Sequence, residues 1–223
     1  MALENRQTQG LEPEGAQLLD RFQDWWDGNR RVVLVSLAVL VLAAGGYFLN
    51  RRTRSVQEDQ AAGRLAEASV YYWQGDYTRS LELSKQVYAQ YGSSPSGIEA
   101  HRLAGDNAFW SGDFKTAVTE YRRYLEKVRT GLLADAARRS MAYALESDRQ
   151  PLEAAKGYDE LVGRFDRTST AEFLVGAARC YRAVGQPAEA VKRLKRVDEE
   201  FGDTSYAQAA RIELGELTAP AVP

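Results

Sequence analysis

The side chains able to do chemistry are few in this chain of 223 residues, and they stand apart. His101 is the only histidine and Cys180 the only cysteine. Together they fall short of the ligand set that a His/Cys metal site needs. A histidine-activated nucleophile would rest entirely on His101. A lone cysteine also leaves no intrachain disulfide. The acids Asp198-Glu199-Glu200 and the pair Glu213/Glu216 read as helix surface, with no sign of two opposed catalytic carboxylates. No Gly-rich phosphate loop, dinucleotide turn or Ser-centred elbow is present. With 29 basic and 31 acidic side chains the net charge is −2, too weak a field to hold nucleic acid. These observations point away from an enzyme, a metal and a cofactor, and leave recognition by aromatic and charged side chains.

The elements that position those side chains begin with an uncharged run, Val32 to Leu49, which contains one Ser36 and no proline. As a helix it covers about 27 Å, close to the hydrocarbon thickness of a bilayer. A cleaved signal peptide is the main competitor. It needs a short basic start and a small-residue cleavage site. Here 31 residues precede the run, carrying six acids against four arginines, and no clean A-x-A pattern follows Ala43-Ala44-Gly45-Gly46. We therefore expect an uncleaved transmembrane helix over residues 30–50. Arg30 and Arg31 bracket it on one side, Arg51 and Arg52 on the other, a balance that does not orient it.

Before the run, Leu18, Leu19, Phe22, Trp25 and Trp26 share one helical face, with Asp20, Arg21, Gln23, Asp24 and Asp27 opposite. Paired tryptophans beside a span suit the membrane interface, where the ring is half-buried and its N–H stays wet. Residues 16–29 are read as a juxtamembrane amphipathic helix ending at a Gly28–Asn29 break. Docking of that face on a protein is the other reading. Residues 1–15, with little to bury, are expected to be a disordered tail.

After the span a fixed neighbourhood recurs. Gly75-Asp76-Tyr77, Gly112-Asp113-Phe114, Arg149-Gln150-Pro151 and Gly185-Gln186-Pro187 start at intervals of 37, 37 and 36 residues. Each separates two amphipathic stretches. Small residues follow at Ser80, Ala117, Ala154 and Ala190, and bulky ones four later at Tyr121, Tyr158 and Leu194, with Ser84 departing from the pattern. First-helix small residues fall on Ala68, Gly105, Ala142 and Ala178. Small residues let paired helices approach and bulky ones fill the gap between them.

This pattern resembles the tetratricopeptide repeat, a helix–turn–helix of about 34 residues. The expected fold is all-α: one N-terminal transmembrane helix, then a tetratricopeptide-like solenoid over residues 51–217. Four helix pairs and a capping helix over 204–217 would make up the solenoid. Residues 218–223 would be a disordered tail. Ser96-Gly97-Ile98-Glu99 and Ser169-Thr170-Ala171-Glu172 read as capping boxes. One glycine and no proline lie between Leu49 and Tyr77, so a helix can run from the span towards the first repeat through a short stalk at 51–60.

In the repeat register Tyr72, Trp73, Arg102, Asp106, Phe109, Trp110, Arg139, Tyr143 and Arg179 point to a concave face, where solenoids bind proteins. Tyr72, Trp73, Phe109, Trp110 and Tyr143 would make an aromatic strip there, unless these rings pack between adjacent repeats. Arg102, Asp106, Arg139 and Arg179 read as solvated positions or local ion pairs. They do not reproduce the Lys/Asn set with which some tetratricopeptide domains grip a terminal carboxylate.

The order of parts is itself a signal: Trp25-Trp26-Asp27-Gly28-Asn29, one span, then repeats opening at Ala61 to Tyr77 with almost no linker. It resembles the bacterial single-pass tetratricopeptide proteins ancillary to the Sec protein-conducting channel, a domain family shared with a periplasmic cell-division coordinator. The resemblance implies an inner-membrane protein with a cytoplasmic amino terminus and periplasmic repeats. Its partners would be the bilayer, membrane-embedded complex subunits and periplasmic chaperones. A structural or assembly subunit of another membrane complex is the alternative.

Overall fold

The computed structural model describes residues 14–219, and every regular element among them is a helix. In chain order these are α1 (Glu14–Trp73), α2 (Tyr77–Tyr91), α3 (Pro95–Trp110), α4 (Phe114–Lys127), α5 (Leu132–Ser147), α6 (Pro151–Leu161), α7 (Arg167–Ala183), α8 (Pro187–Glu200) and α9 (Tyr206–Thr218). The chain divides into two units, Met1–Arg54 and Ser55–Pro223, described separately below. The expected tails at 1–15 and 218–223 lie outside the described residues, except that Glu14 and Gly15 open α1, Thr218 closes α9 and Ala219 follows as its C-cap.

In the first unit α1 carries a stretch long and apolar enough to cross a membrane, none of it buried against other protein. The expected break at Gly28–Asn29 is absent. The helix runs through, and the Asn29 amide donates to the Trp25 carbonyl one turn back at 2.8 Å. A single interior glycine costs about 1 kcal/mol against alanine, too little to stop a helix with no proline nearby.

In the second unit successive helices pack in pairs, each on the next, with α9 against α8 and α7 at the end. Four identical turns set the pairing. Tyr71, Ala108, Leu145 and Tyr181 each offer a carbonyl to the N–H five residues on, at Asp76, Asp113, Gln150 and Gln186, over 2.9–3.0 Å. The residue between, at Gly75, Gly112, Arg149 and Gly185, takes a positive φ of 81°, 80°, 57° and 72°. This is the Schellman closure, in which a left-handed residue returns the chain across the helix end. The next helix is then started by Asp76 and Asp113, whose carboxylates accept from Arg79 and Thr116 N–H, or by Pro151 and Pro187 at the first turn.

The two expected capping boxes are not formed. Ser94 caps α3 and Asp166 caps α7, accepting from Gly97 and Ser169 N–H. Pro95 sets the start of α3, and Ser96 is drawn to α1, where Glu58 accepts its N–H at 3.1 Å and its hydroxyl at 2.6 Å. A carboxylate at a helix N-terminus meets unpaired N–H groups and the positive end of the dipole. Burial alone would raise the Glu58 carboxyl, yet the Ser96 bonds hold it below its ordinary value.

The buried apolar residues form two clusters. A small one joins Ala61, Val87, Tyr91 and Ala100, and a large one runs from Ala108 through the remaining repeats to Ala210. At the joint of the first two pairs the buried groups include Ser80, Ser84 and Asn107. Asn107 donates to Ser80 Oγ and to the Leu103 carbonyl, both at 2.8 Å, and Ser80 donates to the Ala68 carbonyl at 2.7 Å. Ser84, the departure from the bulky pattern, donates to the Ser80 carbonyl. Further along, Tyr121 and Tyr158 fill the gaps that glycines leave. A Cβ on Gly105 would lie 2.7 Å from the Tyr121 ring, and one on Gly176 3.1 Å from the Tyr158 ring.

Candidate functional site

The nine residues expected on the concave face lie on the first helices of the pairs, α1, α3, α5 and α7. Four of the five aromatics meet at the turn ends of the first two pairs. Tyr72 and Trp73 close α1, and Phe109 and Trp110 close α3. The fifth, Tyr143, is elsewhere, donating to Glu172 at 2.8 Å with its ring 5.8 Å from that of Tyr158.

Two residues missed in the sequence complete the cluster, Tyr77 and Phe114, each the first residue of the second helix after its turn. Tyr77 stacks on Trp110 at 6.3 Å between centroids, and Tyr72 meets Trp73 edge-on at 5.2 Å and Tyr77 at 5.7 Å. Phe109 meets Trp110 at 5.7 Å and Phe114 at 5.5 Å. Trp110 Nε1 donates to Tyr72 Oη at 3.1 Å, tying the two pairs together. The recurring Gly-Asp-aromatic triplet was the available signal for Tyr77 and Phe114. In the third and fourth turns proline stands at that position, so the ledge ends at the second pair.

The ledge is half-sunk. Trp73 is 83% exposed and Trp110 59% exposed, whereas Tyr72, Tyr77, Phe109 and Phe114 are half-buried. Burial, with the nearby Asp106 charge, raises the Tyr72 phenol above its ordinary value, so its hydroxyl stays a neutral donor. Large exposed rings held by neighbouring rings lose little freedom when a partner covers them.

The charged candidates are engaged within the protein. Arg102 forms ion pairs with Glu99 and, at 2.7 Å, with Asp106, which also accepts from the Tyr121 hydroxyl at 2.7 Å. Arg139 lies over the Phe165 ring at 5.3 Å. Arg179 grips Glu146 through two nitrogens at 2.5 and 2.9 Å, and the Tyr158 hydroxyl adds a bond at 2.6 Å. Two carboxyls here shift in opposite directions. Burial dominates at Asp106 and raises it, while at Glu146 burial is overcome by Arg179 and Tyr158, which hold it low. Any ligand carboxylate at Arg102 or Arg179 has to displace a partner already in place.

His101 and Cys180 are held among their neighbours in the second unit. His101 Nδ1 lies 2.6 Å from Glu120, with the Tyr88 ring stacked on the imidazole at 4.1 Å. Cys180 is buried. Among the described residues no three His, Cys, Asp or Glu side chains are grouped to hold a metal. In the first unit Trp25 and Trp26 are exposed, both within 6.3 Å of the Phe22 ring, and Arg30, Arg31, Arg51 and Arg52 are exposed as well.

No protein-family model matches the sequence, and no curated protein matches it. Solved structures similar to the chain are tetratricopeptide-type arrays. A putative kinesin light chain from Podospora anserina with nearly identical tetratricopeptide-like repeats aligns at TM-score 0.56 and 20% identity, over 72% of this chain and 86% of that one. MamA aligns at TM-score 0.54 and 17% identity, over 64% and 79%. A tetratricopeptide repeat protein from Parabacteroides merdae aligns at TM-score 0.60 and 13% identity, over 71% and 60%. At these identities the likeness shows the fold: an all-helical tetratricopeptide-like solenoid.

Proposed function

We propose that this chain is a membrane-anchored tetratricopeptide adaptor that holds a protein partner through the ledge of Tyr72, Trp73, Tyr77, Phe109, Trp110 and Phe114. The ledge carries this reading: it is the aromatic group the second unit exposes at its repeat turns, while the neighbouring charges are spent on internal pairs. The apolar stretch of α1, flanked by Trp25, Trp26 and four arginines, supports a single-pass anchor. The order of amphipathic segment, span and repeats supports work beside the protein-export channel or in envelope protein folding. In that reading the amino terminus is cytoplasmic, the repeats are periplasmic, and channel subunits and periplasmic chaperones are the partners.

The experiment is site-specific photocrosslinking from the span and from position 73 in native membranes, repeated in a Tyr77→Ala, Trp110→Ala variant. Crosslinks to channel subunits, with those at position 73 lost in the variant, are the expected result. A stoichiometric complex with unrelated membrane subunits would replace the export reading with that of an assembly subunit. Unchanged crosslinking in a folded variant would refute the ledge. A reporter fused after Pro223 fixes the topology, and a cytoplasmic signal would overturn the orientation.

A further inference from the structure

The charges that flank the apolar run of α1 are not equivalent at its two ends. Arg30 and Arg31 follow Asp27 by three and four positions, the spacing at which acid and base are neighbours on a helix. Past Leu49, the arginines Arg51, Arg52 and Arg54 come close together. Glu58, four positions after Arg54, is the only acid at such a spacing from any of them. It is taken up by Ser96, whose N–H and hydroxyl it accepts. The three arginines are exposed and make no side-chain hydrogen bond or ion pair among the described residues.

Two of the three share a face. Tyr47, Asn50, Arg51 and Arg54 line one shallow cleft on α1, while Arg52 stands on another side of the helix. Arg51 and Arg54 are like charges one turn apart with no acid between them, so each repels the other until an anion lies across both. Arg51 stands about 3 Å and Arg54 about 8 Å along the helix past Leu49. The polar headgroup layer of a bilayer is about 5–8 Å deep on each side of the hydrocarbon, so both guanidiniums fall at its depth. Towards the middle of the run the same face carries Ala43 and Leu40, apolar and exposed.

We infer that this face binds the headgroup of an anionic phospholipid. The inference rests on the membrane-anchor reading of α1. Arg51 and Arg54 clamp the phosphodiester, and the Asn50 amide and Tyr47 hydroxyl donate to its ester oxygens. An acyl chain runs along Ala43 and Leu40, which a free phosphate cannot use. A zwitterionic lipid fits less well. Its own ammonium offsets the phosphate, and the face has no carboxylate to receive that ammonium.

Full-length protein is placed in nanodiscs made of equal parts phosphatidylglycerol and phosphatidylcholine, and the lipids that leave the disc with it are counted by native mass spectrometry. Wild type is expected to carry phosphatidylglycerol in about tenfold excess, and the double change Arg51→Gln, Arg54→Gln to bring the ratio within about twofold. Arg51→Gln and Arg52→Gln each remove one charge, and only the first should lower the preference. Circular dichroism should be the same for every variant. Equal retention of the two lipids by wild type overturns the inference. So does an equal loss in Arg51→Gln and Arg52→Gln, which would show diffuse charge with no built face. Displacement of the lipid by inorganic phosphate, but not by chloride at the same ionic strength, would make this a site for free phosphate and overturn it too. Alkaline carbonate extraction separates this reading from the anchor. Release of the protein refutes the anchor and this site with it, whereas retention in the membrane without a lipid preference refutes the site alone.

Discussion

Asn107 donates to Ser80 Oγ across 2.8 Å, and this bond makes the joint between the first two helix pairs polar. One period along, the corresponding residues are Ala117 and Ala144, which leave only methyl groups. Removing one partner of a buried hydrogen bond strands the other, at a cost of about 1–3 kcal/mol. Asn107→Ala and Ser80→Ala are each expected to lower unfolding stability in that range. The double change, which recreates the alanine pair, should cost clearly less than the sum. Denaturant unfolding of the four proteins in mild detergent measures the coupling, and additive losses would show that the bond has no energetic identity of its own.

The glycines divide by what stands over them. A Cβ on Gly105 would enter the Tyr121 ring, so Gly105→Ala is expected to destabilise by about 1–3 kcal/mol through overpacking. Gly63→Ala meets open space in a helix interior and should stabilise by about 0.5–1 kcal/mol. Thermal unfolding of both variants in parallel checks the opposite signs.

How much of this was legible in the sequence depended on the range of the physics involved. The long apolar helical stretch was readable because apolarity over eighteen residues is a local property, and the turns because a left-handed residue at a helix end selects glycine. The caps were misread: whether Ser96 caps its own helix is decided by Pro95 and by Glu58, which lies 38 positions earlier. The ledge was half-readable. Register along each first helix finds Trp73 and Trp110, but their partners Tyr77 and Phe114 come from across the turn, where helical periodicity no longer applies. The working role of Asn107, a polar residue inside an apolar-looking helix, belongs wholly to the packed structure.

Acid should act in opposite directions on two carboxyls. Burial works against the Glu146 charge, but Arg179 and Tyr158 hold its carboxyl low. A lowered carboxyl contributes stability that is present at neutral pH and is lost as pH falls through the folded-state value. Wild type is therefore expected to exceed Glu146→Gln at pH 7, with the gap closing below the ordinary glutamate value of about 4.3. Asp106 is raised by burial, so its ionised form carries a penalty at neutral pH that fades on acidification. Against Asp106→Asn, which keeps an acceptor for Tyr121, wild type should gain as pH falls. Unfolding midpoints from pH 7 to pH 3 give both slopes, and parallel slopes would contradict the assignment.

Burial, followed by the charge of Glu146, pushes the Cys180 thiol up to about 12. Very little thiolate then exists at pH 8, and the buried sulfur is out of reach of reagents. Labelling by iodoacetamide is expected to occur only at the rate at which the last two pairs open. It should quicken in Glu146→Gln. Labelling of the native protein at the rate of a free thiol would place Cys180 outside the core.

In the second unit each pair leans on the next, and α9 closes the series. Such a series behaves under tension as springs in line, every joint bearing the same load and the most brittle failing first. A pull on the outer helices would therefore part the array at one joint and leave the pairs beyond it folded, a graded response to force that a single globular core does not give.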